Sequence, residues 1–284
     1  MKKISALLVI SLMLAAGCSH SNRKKAADAA PAEKADFQLV DYHVHLKGGL
    51  TLDEAIAIAE ANGTKFGIAG NCGLGFAITD DLALLAYYKS LEGKPVYKAM
   101  QAEGREWVTL FSPEVIAKFD YVFTDAMTWT DEQGNRMRLW IPEEVKWDDP
   151  QVFMDTLVDR IVTIMDTEPI DIYANSTFLP AVIADDYDAL WTPQRMQKVI
   201  DAAVRNDVAI EINARYRLPS EAFIRLAKKA GVKFACGTNN GGRNDLGNLE
   251  YCREMIRRCN LTAEDMFTPK PKDKKPILTK GLPR

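Results

Sequence analysis

The stretch QLVDYHVHLKGGLTLDEAIAIAEANGTKFGIA, residues 38–69, decides the fold. It opens on a short β-rich run. Thr51-Leu52-Asp53-Glu54 is then a capping box that starts an amphipathic helix, Gly63 closes that helix, and a second β-rich run begins at Phe66. Strand, helix, strand in about 30 residues is a βαβ unit, whose crossover is right-handed and joins parallel strands.

The unit recurs to the end of the chain. Strand candidates lie at 38–43, 66–69, 96–102, 121–123, 170–173, 208–212 and 233–236. Ser112-Pro113, Asp149-Pro150 and Thr192-Pro193 each place an N-cap residue before proline at the first helical position. Seven repeats predict an α/β fold with a parallel sheet. Polar residues follow nearly every run: His43 and His45, Asn71 and Cys72, Glu103, Asp125, Asn175, Glu211 and Asn213, then Asn239 and Asn240. Such a set suits a closed, distorted seven-stranded TIM-like barrel, because the C-terminal strand ends of a barrel converge on one mouth. The segment 126–148 between the fourth run and its helix is long and carries Trp129, Trp140, Trp147, Arg136 and Arg138. It reads as a binding lid or as a packing flap.

Outside the repeats the chain changes character. Lys2 and Lys3 precede an apolar run, 4–16, and Ala15-Ala16-Gly17-Cys18 ends it on small residues and a cysteine. That order fits a secretory signal, and its end is similar to a bacterial lipobox with Cys18 as the lipidated residue. The expected organisation is a signal and lipobox at 1–18, a tether at 19–36, a barrel domain at 37–267 and a flexible Pro/Lys-rich tail at 268–284. Lipidation would put the protein in the bacterial cell envelope, touching membrane through its anchor only. A net charge of −3 gives no reason to expect a nucleic-acid partner. Cys252 and Cys259 are seven residues apart in a helical pattern, too far along the axis for a disulfide, so buried thiols are expected.

Asp41-Tyr42-His43-Val44-His45 is the sharpest local motif. Residues two apart on a strand face one side, so both imidazoles can reach one metal ion. The only other histidine, His20, lies in the tether. With these residues the chain resembles the PHP family of metal-dependent phosphoesterases, over most of 41–267. DYHVH (41–45) matches the family's first motif, KAMQAE (98–103) its third strand with a bridging glutamate at Glu103, AIEIN (209–213) a recurrent strand, and FACGTNN (234–240) its closing motif. The resemblance implies a distorted seven-stranded barrel and metal at the strand ends. The departures are specific. Asn71-Cys72 replaces an Asp-His pair, the fourth-strand histidine falls near 125–127, Asn175 replaces a histidine, Asn239 an aspartate, and a last histidine falls at Gly241.

The metal ligands this implies are His43, His45, Glu103 and Asn239, holding one divalent ion of zinc, manganese or iron. Cys72 is a possible soft ligand or a packing residue. Glu103 and Asp125 are candidates for proton transfer. Arg105, Arg215 and Arg243, with Asn175, Asn213 and Asn240, are candidates for holding a phosphoester or a sugar-like small molecule. The arginines could equally pair with neighbouring acids, and the asparagines with backbone. Two functions follow: a metal-dependent hydrolase, most simply a phosphoesterase with a reduced, mononuclear site, or an inactive barrel that binds a glycan or an anion.

Overall fold

All seven β-rich runs become barrel strands, with boundaries moved by one to three residues. The structure, a computed structural model, describes residues 37–130, 134–146 and 148–283. The signal-like segment with Cys18, the tether and Trp147 lie outside the described residues. In chain order the strands are β1 (Val40–Val44), β2 (Lys65–Cys72), β3 (Tyr97–Ala102), β4 (Tyr121–Thr124), β5 (Thr128–Thr130), β6 (Arg136–Arg138), β7 (Ile172–Tyr173), β8 (Ala209–Asn213) and β9 (Phe234–Gly237). β1, β2, β3, β4, β7, β8 and β9 form a closed, all-parallel barrel, sealed where Asp41 of β1 pairs with Cys236 of β9. This is a seven-stranded TIM-like α/β barrel.

The barrel interior is tapered by alternating large and small residues. Tyr42, Tyr121, Phe123 and Ile172 share it with Ala69, Ala99, Ala209 and Ala235, and Phe267 packs against them. The tyrosines satisfy their hydroxyls on main chain, as buried phenols must. Tyr121 donates to the Tyr42 carbonyl at 2.6 Å and Tyr42 donates to the Phe267 carbonyl at 2.9 Å. Gly67 is required by this arrangement, because a Cβ there would lie 1.8 Å from the Tyr121 hydroxyl.

β1 breaks the regular alternation in a way that matters for the mouth. Its register against β2 shifts between Asp41 and Val44. Tyr42 belongs to the interior cluster, whereas Val44 packs outward with Phe66, Ile68 and Leu91 beneath the helix Leu52–Ala61. His43, between them, stacks edge-on against Phe123 of the interior at 4.6 Å between ring centres.

Three of the four expected N-caps form: the Thr51 capping box is complete, Asp149 caps Pro150–Thr167, and Thr192 caps Pro193–Asn206, whereas Ser112 stands at the start of the short helix Pro113–Ile116 without a side-chain cap bond. The long segment after β4 is an antiparallel hairpin of β5 and β6. Trp129, Met137 and Leu139 from it are buried in the main core, which is the packing-flap reading, while Trp140 stays 41% exposed. Cys72, Cys236, Cys252 and Cys259 are free and buried.

The expected loose tail is corrected. After Phe267 the chain forms a short turn, Lys272–Lys274, and a helix turn, Pro276–Thr279, with Ile277 buried in the main core. The lysines that suggested a solvated segment instead cap main-chain carbonyls. Lys275 donates to those of Ala117 and Phe119, and Lys280 donates to that of Met165 at 2.6 Å. Composition favours solvation only where no unsatisfied carbonyls await a cation. Among the described residues no helix is long and apolar enough to cross a membrane.

Candidate functional site

The C-terminal strand ends enclose a polar cavity of about 450 Å³. His45, Asn71, Gln101, Glu103, Asp125, Asn175 and Asn239 line it from six of the barrel strands or the turns after them, and Lys47, Arg215, Tyr216 and Trp140 close its rim. Its size is that of a small-molecule site.

His43 and His45 are both buried at this end, 1% and 2% exposed, with ring centres 5.0 Å apart. Each has one nitrogen fixed. His43 Nδ1 meets Glu211 Oε1 at 2.6 Å, and His45 Nδ1 meets the Ala69 carbonyl at 3.0 Å. Each has the other nitrogen, Nε2, buried without a hydrogen-bond partner among the described residues, although Gln101 lies near the ring of His45. Burial, with the neighbouring charges of His43 and Lys47, holds the pKa of His45 well below the ordinary value for histidine, so its ring is neutral.

Glu211 orients His43. Burial alone would raise its carboxyl, but the His43 ring, the Asn175 N–H at 2.7 Å and the Asn213 amide at 3.2 Å more than offset this and keep it ionised below the usual range. The end of β9 leaves room for the pair only because residue 237 is glycine. A Cβ there would lie 2.2 Å from Glu211 Oε1 and 2.7 Å from His43 Cβ.

Two buried carboxyls face the same space. Burial, and then the charge of Asp125, pushes Glu103 up to about 8; Asn71 donates to its Oε1 at 2.7 Å. Burial also raises Asp125, against the Met127 N–H at 2.9 Å and the Asn175 amide at 2.7 Å. Two such groups do not both ionise readily, so the site holds a proton near neutrality. Asn175 and Asn239 sit in left-handed backbone, φ 49° and 44°, which asparagine tolerates better than most residues. That turns both amides into the cavity, where Asn239 donates to Asn175 Oδ1 at 3.3 Å.

The structure brings His45, Glu103, Asp125, Asn175, Arg215 and Asn239 together around the mouth cavity, and His43 meets this set through its ring contact with His45 without itself lining the cavity. Five other candidates do not line it either. Arg105 pairs with Glu168 at 2.6 Å and bonds Thr124 Oγ1 and the Asp125 carbonyl. Arg243 pairs with Glu54 at 2.7 Å. Asn240 is fully buried and clamps the chain after β1, accepting from the His45 N–H and donating to its carbonyl. Asn213 supports from beneath, donating to Asn175 Oδ1 at 2.8 Å. Cys72 is fully buried, with its thiol on the Gly70 carbonyl.

Lys47, Gln101 and the supporting role of Glu211 are site features not identified from the sequence. Lys47 carried a signal, two residues beyond the HxH pair in a Gly-rich turn. Neither Lys47 nor Arg215 forms an ion pair among the described residues, so two cations remain available at the rim.

A divalent metal is what the sequence resemblance implies here. The two imidazoles fit one, since a ligating histidine typically holds its other nitrogen on a carboxylate or carbonyl. Beyond them, no group of three or more His, Cys, Asp or Glu side chains among the described residues is arranged to hold an ion. Any remaining donors would have to include neutral amides or water.

No family model matches the chain, and no curated protein matches it. Among solved structures, an HpcH/HpaI aldolase from Desulfitobacterium hafniense DCB-2 aligns with 82% of this chain and 95% of its own, at 12% identity and a TM-score of 0.36. That likeness is too slight to carry an argument about chemistry.

Proposed function

We propose that the barrel mouth is the active site of a metal-dependent hydrolase acting on small phosphoesters, with a reduced, PHP-like mononuclear centre. One observation carries this reading: two buried imidazoles whose Nδ1 atoms are fixed and whose Nε2 atoms have no hydrogen-bond partner among the described residues, beside the two buried carboxyls of Glu103 and Asp125. His43 and His45 would hold the metal, with Asn239 and water as further donors; Glu103, which does not stand in one ligand set with the two imidazoles, would join them only by a side-chain movement. Bound there, a divalent ion supplies Lewis acidity and lowers the pKa of water toward neutrality. Lys47 and Arg215 hold the anionic phosphoryl group at the rim, and Asp125 accepts the proton of the attacking water. The proton on Glu103 must leave before that carboxyl can serve as a ligand. We further propose that Cys18 tethers this domain to the cell envelope.

Elemental mass spectrometry of protein purified without chelator tests the centre. The expected result is near one equivalent of zinc, manganese or iron in the wild type, lost in both His43→Ala and His45→Ala, with phosphomonoester turnover lost alongside. A protein that takes up no metal from excess ions refutes this reading.

That no three His, Cys, Asp or Glu side chains among the described residues are grouped to hold an ion favours a second reading, an inactive barrel that holds an anion or a glycan on its amides and rim cations. It predicts ligand affinity that survives removal of the imidazoles.

A further inference from the structure

Beside the mouth runs a second and larger groove, about 860 Å³, between the turns after β7 and β8 and the helix Glu250–Arg258. Trp140, Arg215 and Tyr216 line both spaces, so the groove and the mouth are two parts of one cleft that meets at these three side chains. Whatever places an anionic group between Lys47 and Arg215 therefore has its remaining atoms directed along this groove.

The chemistry of the groove restricts those atoms. Beyond Arg215 at the junction, its arginines are already paired: Arg217 with Glu254 at 2.6 Å, and Arg258 with both Glu221 at 2.5 Å and Glu254 at 3.0 Å, while Asp188 adds a further acid. A second phosphate or carboxylate would have to break these pairs and approach Asp188, so an anionic occupant of the groove is disfavoured. What the groove presents instead is ring surface. Phe178 and Tyr216 meet edge to face at 5.0 Å between centres, and Trp140 stands exposed at the junction. Flat aromatic faces interspersed with polar groups suit a ring that is apolar on its faces and hydroxylated at its edge.

Resting on the phosphoesterase reading of the mouth, we propose that the groove is a subsite for a neutral saccharide, so that the substrate is a phosphorylated sugar chain with its phosphate at the mouth and at least one uncharged sugar ring beyond it. The leaving group is then the sugar hydroxyl: water attacks phosphorus, the P–O bond to the sugar breaks, and the departing oxygen takes up one proton as inorganic phosphate forms.

The test is calorimetric titration of the full-length protein with two separate probes, maltose for the groove and inorganic phosphate for the mouth. Two variants accompany the wild type. Phe178→Ala removes a ring face, and Ala181→Trp fills the groove from an exposed rim position, so that at least one should fold. The proposal expects maltose to bind the wild type and to bind at least about tenfold more weakly in each folded variant, the loss of one stacking face. Maltose that fails to bind, or binds both variants like the wild type, overturns the saccharide subsite. Phosphate binding that is present in the wild type and reduced in Lys47→Ala leaves the reading of the mouth standing in that event. Conversely, maltose binding lost in the variants without any phosphate binding would keep the groove and remove the phosphoesterase.

Discussion

His43 takes its orientation from Glu211, a carboxylate kept ionised although it is fully buried. Supporting carboxylates of this kind raise the basicity of a ligating imidazole and fix its tautomer. Glu211→Gln retains the shape and removes the charge. Zinc affinity measured by calorimetry should fall by about 10- to 100-fold, the usual consequence of losing such a partner. Unchanged affinity would show that His43 does not bind metal. Gly237→Ala pushes a methyl into the same pair from behind. Its expected cost is about 1–3 kcal/mol in chemical denaturation, the range for overpacking a filled interior. Part of this site was legible in the linear chain. The HxH spacing and Glu103 at a strand end reach the mouth because position along a strand fixes which end a residue occupies. Arg105, Arg243 and Asn240 occupy equivalent positions after their strands and yet turn elsewhere, because Glu168, Glu54 and the main chain of His45 reach them first. Spacing gives the end of the barrel but not the nearest partner.

The hairpin β5–β6 shows the same division one level up. Its tryptophans and arginines suggested a lid and a flap equally well. The structure divides the work within one short segment: Trp129 packs on Phe153 at 5.8 Å with Arg160 over its ring at 4.7 Å, while Trp140 faces the cleft. Trp129→Ala should therefore destabilise the fold by about 3 kcal/mol or more, the cost of deleting a buried aromatic. Trp140→Ala should be nearly neutral in thermal unfolding and act on ligand affinity instead. The reverse pattern would mean that the hairpin is held through the cleft. The βα repeats were readable because capping boxes, Pro at the first helical turn and β-rich runs are local signals. The hairpin was not, because its two three-residue strands pair across a gap with no regular apolar period.

Across the whole molecule, the last part of the chain returns to the N-terminal end of the barrel and meets a buried acid there. Asp171, just before β7, is 2% exposed; its Oδ2 accepts the Val122 N–H at 2.9 Å and its Oδ1 has no hydrogen-bond partner among the described residues. Burial pushes its carboxyl up to about 6, with the Val122 bond and the charges of Lys270 and Lys275 pulling the other way. A carboxyl whose pKa is higher folded than unfolded binds its proton more tightly in the native state, so stability falls as pH rises through the interval. From the ordinary value near 4 to about 6, Asp171 should withdraw on the order of 2–3 kcal/mol of folding free energy, and the loss should be complete by pH 7. The difference between wild type and Asp171→Asn, taken from denaturant unfolding at pH 4, 5, 6 and 7, isolates this contribution from other titrating groups. The wild type should lose stability relative to the variant across that range. Lys275→Ala should steepen the loss at its upper end, because removing a nearby cation raises the carboxyl further. A difference that stays constant with pH would mean that Asp171 has the same pKa folded and unfolded, its burial being offset in full by the Val122 bond and the charges of Lys270 and Lys275.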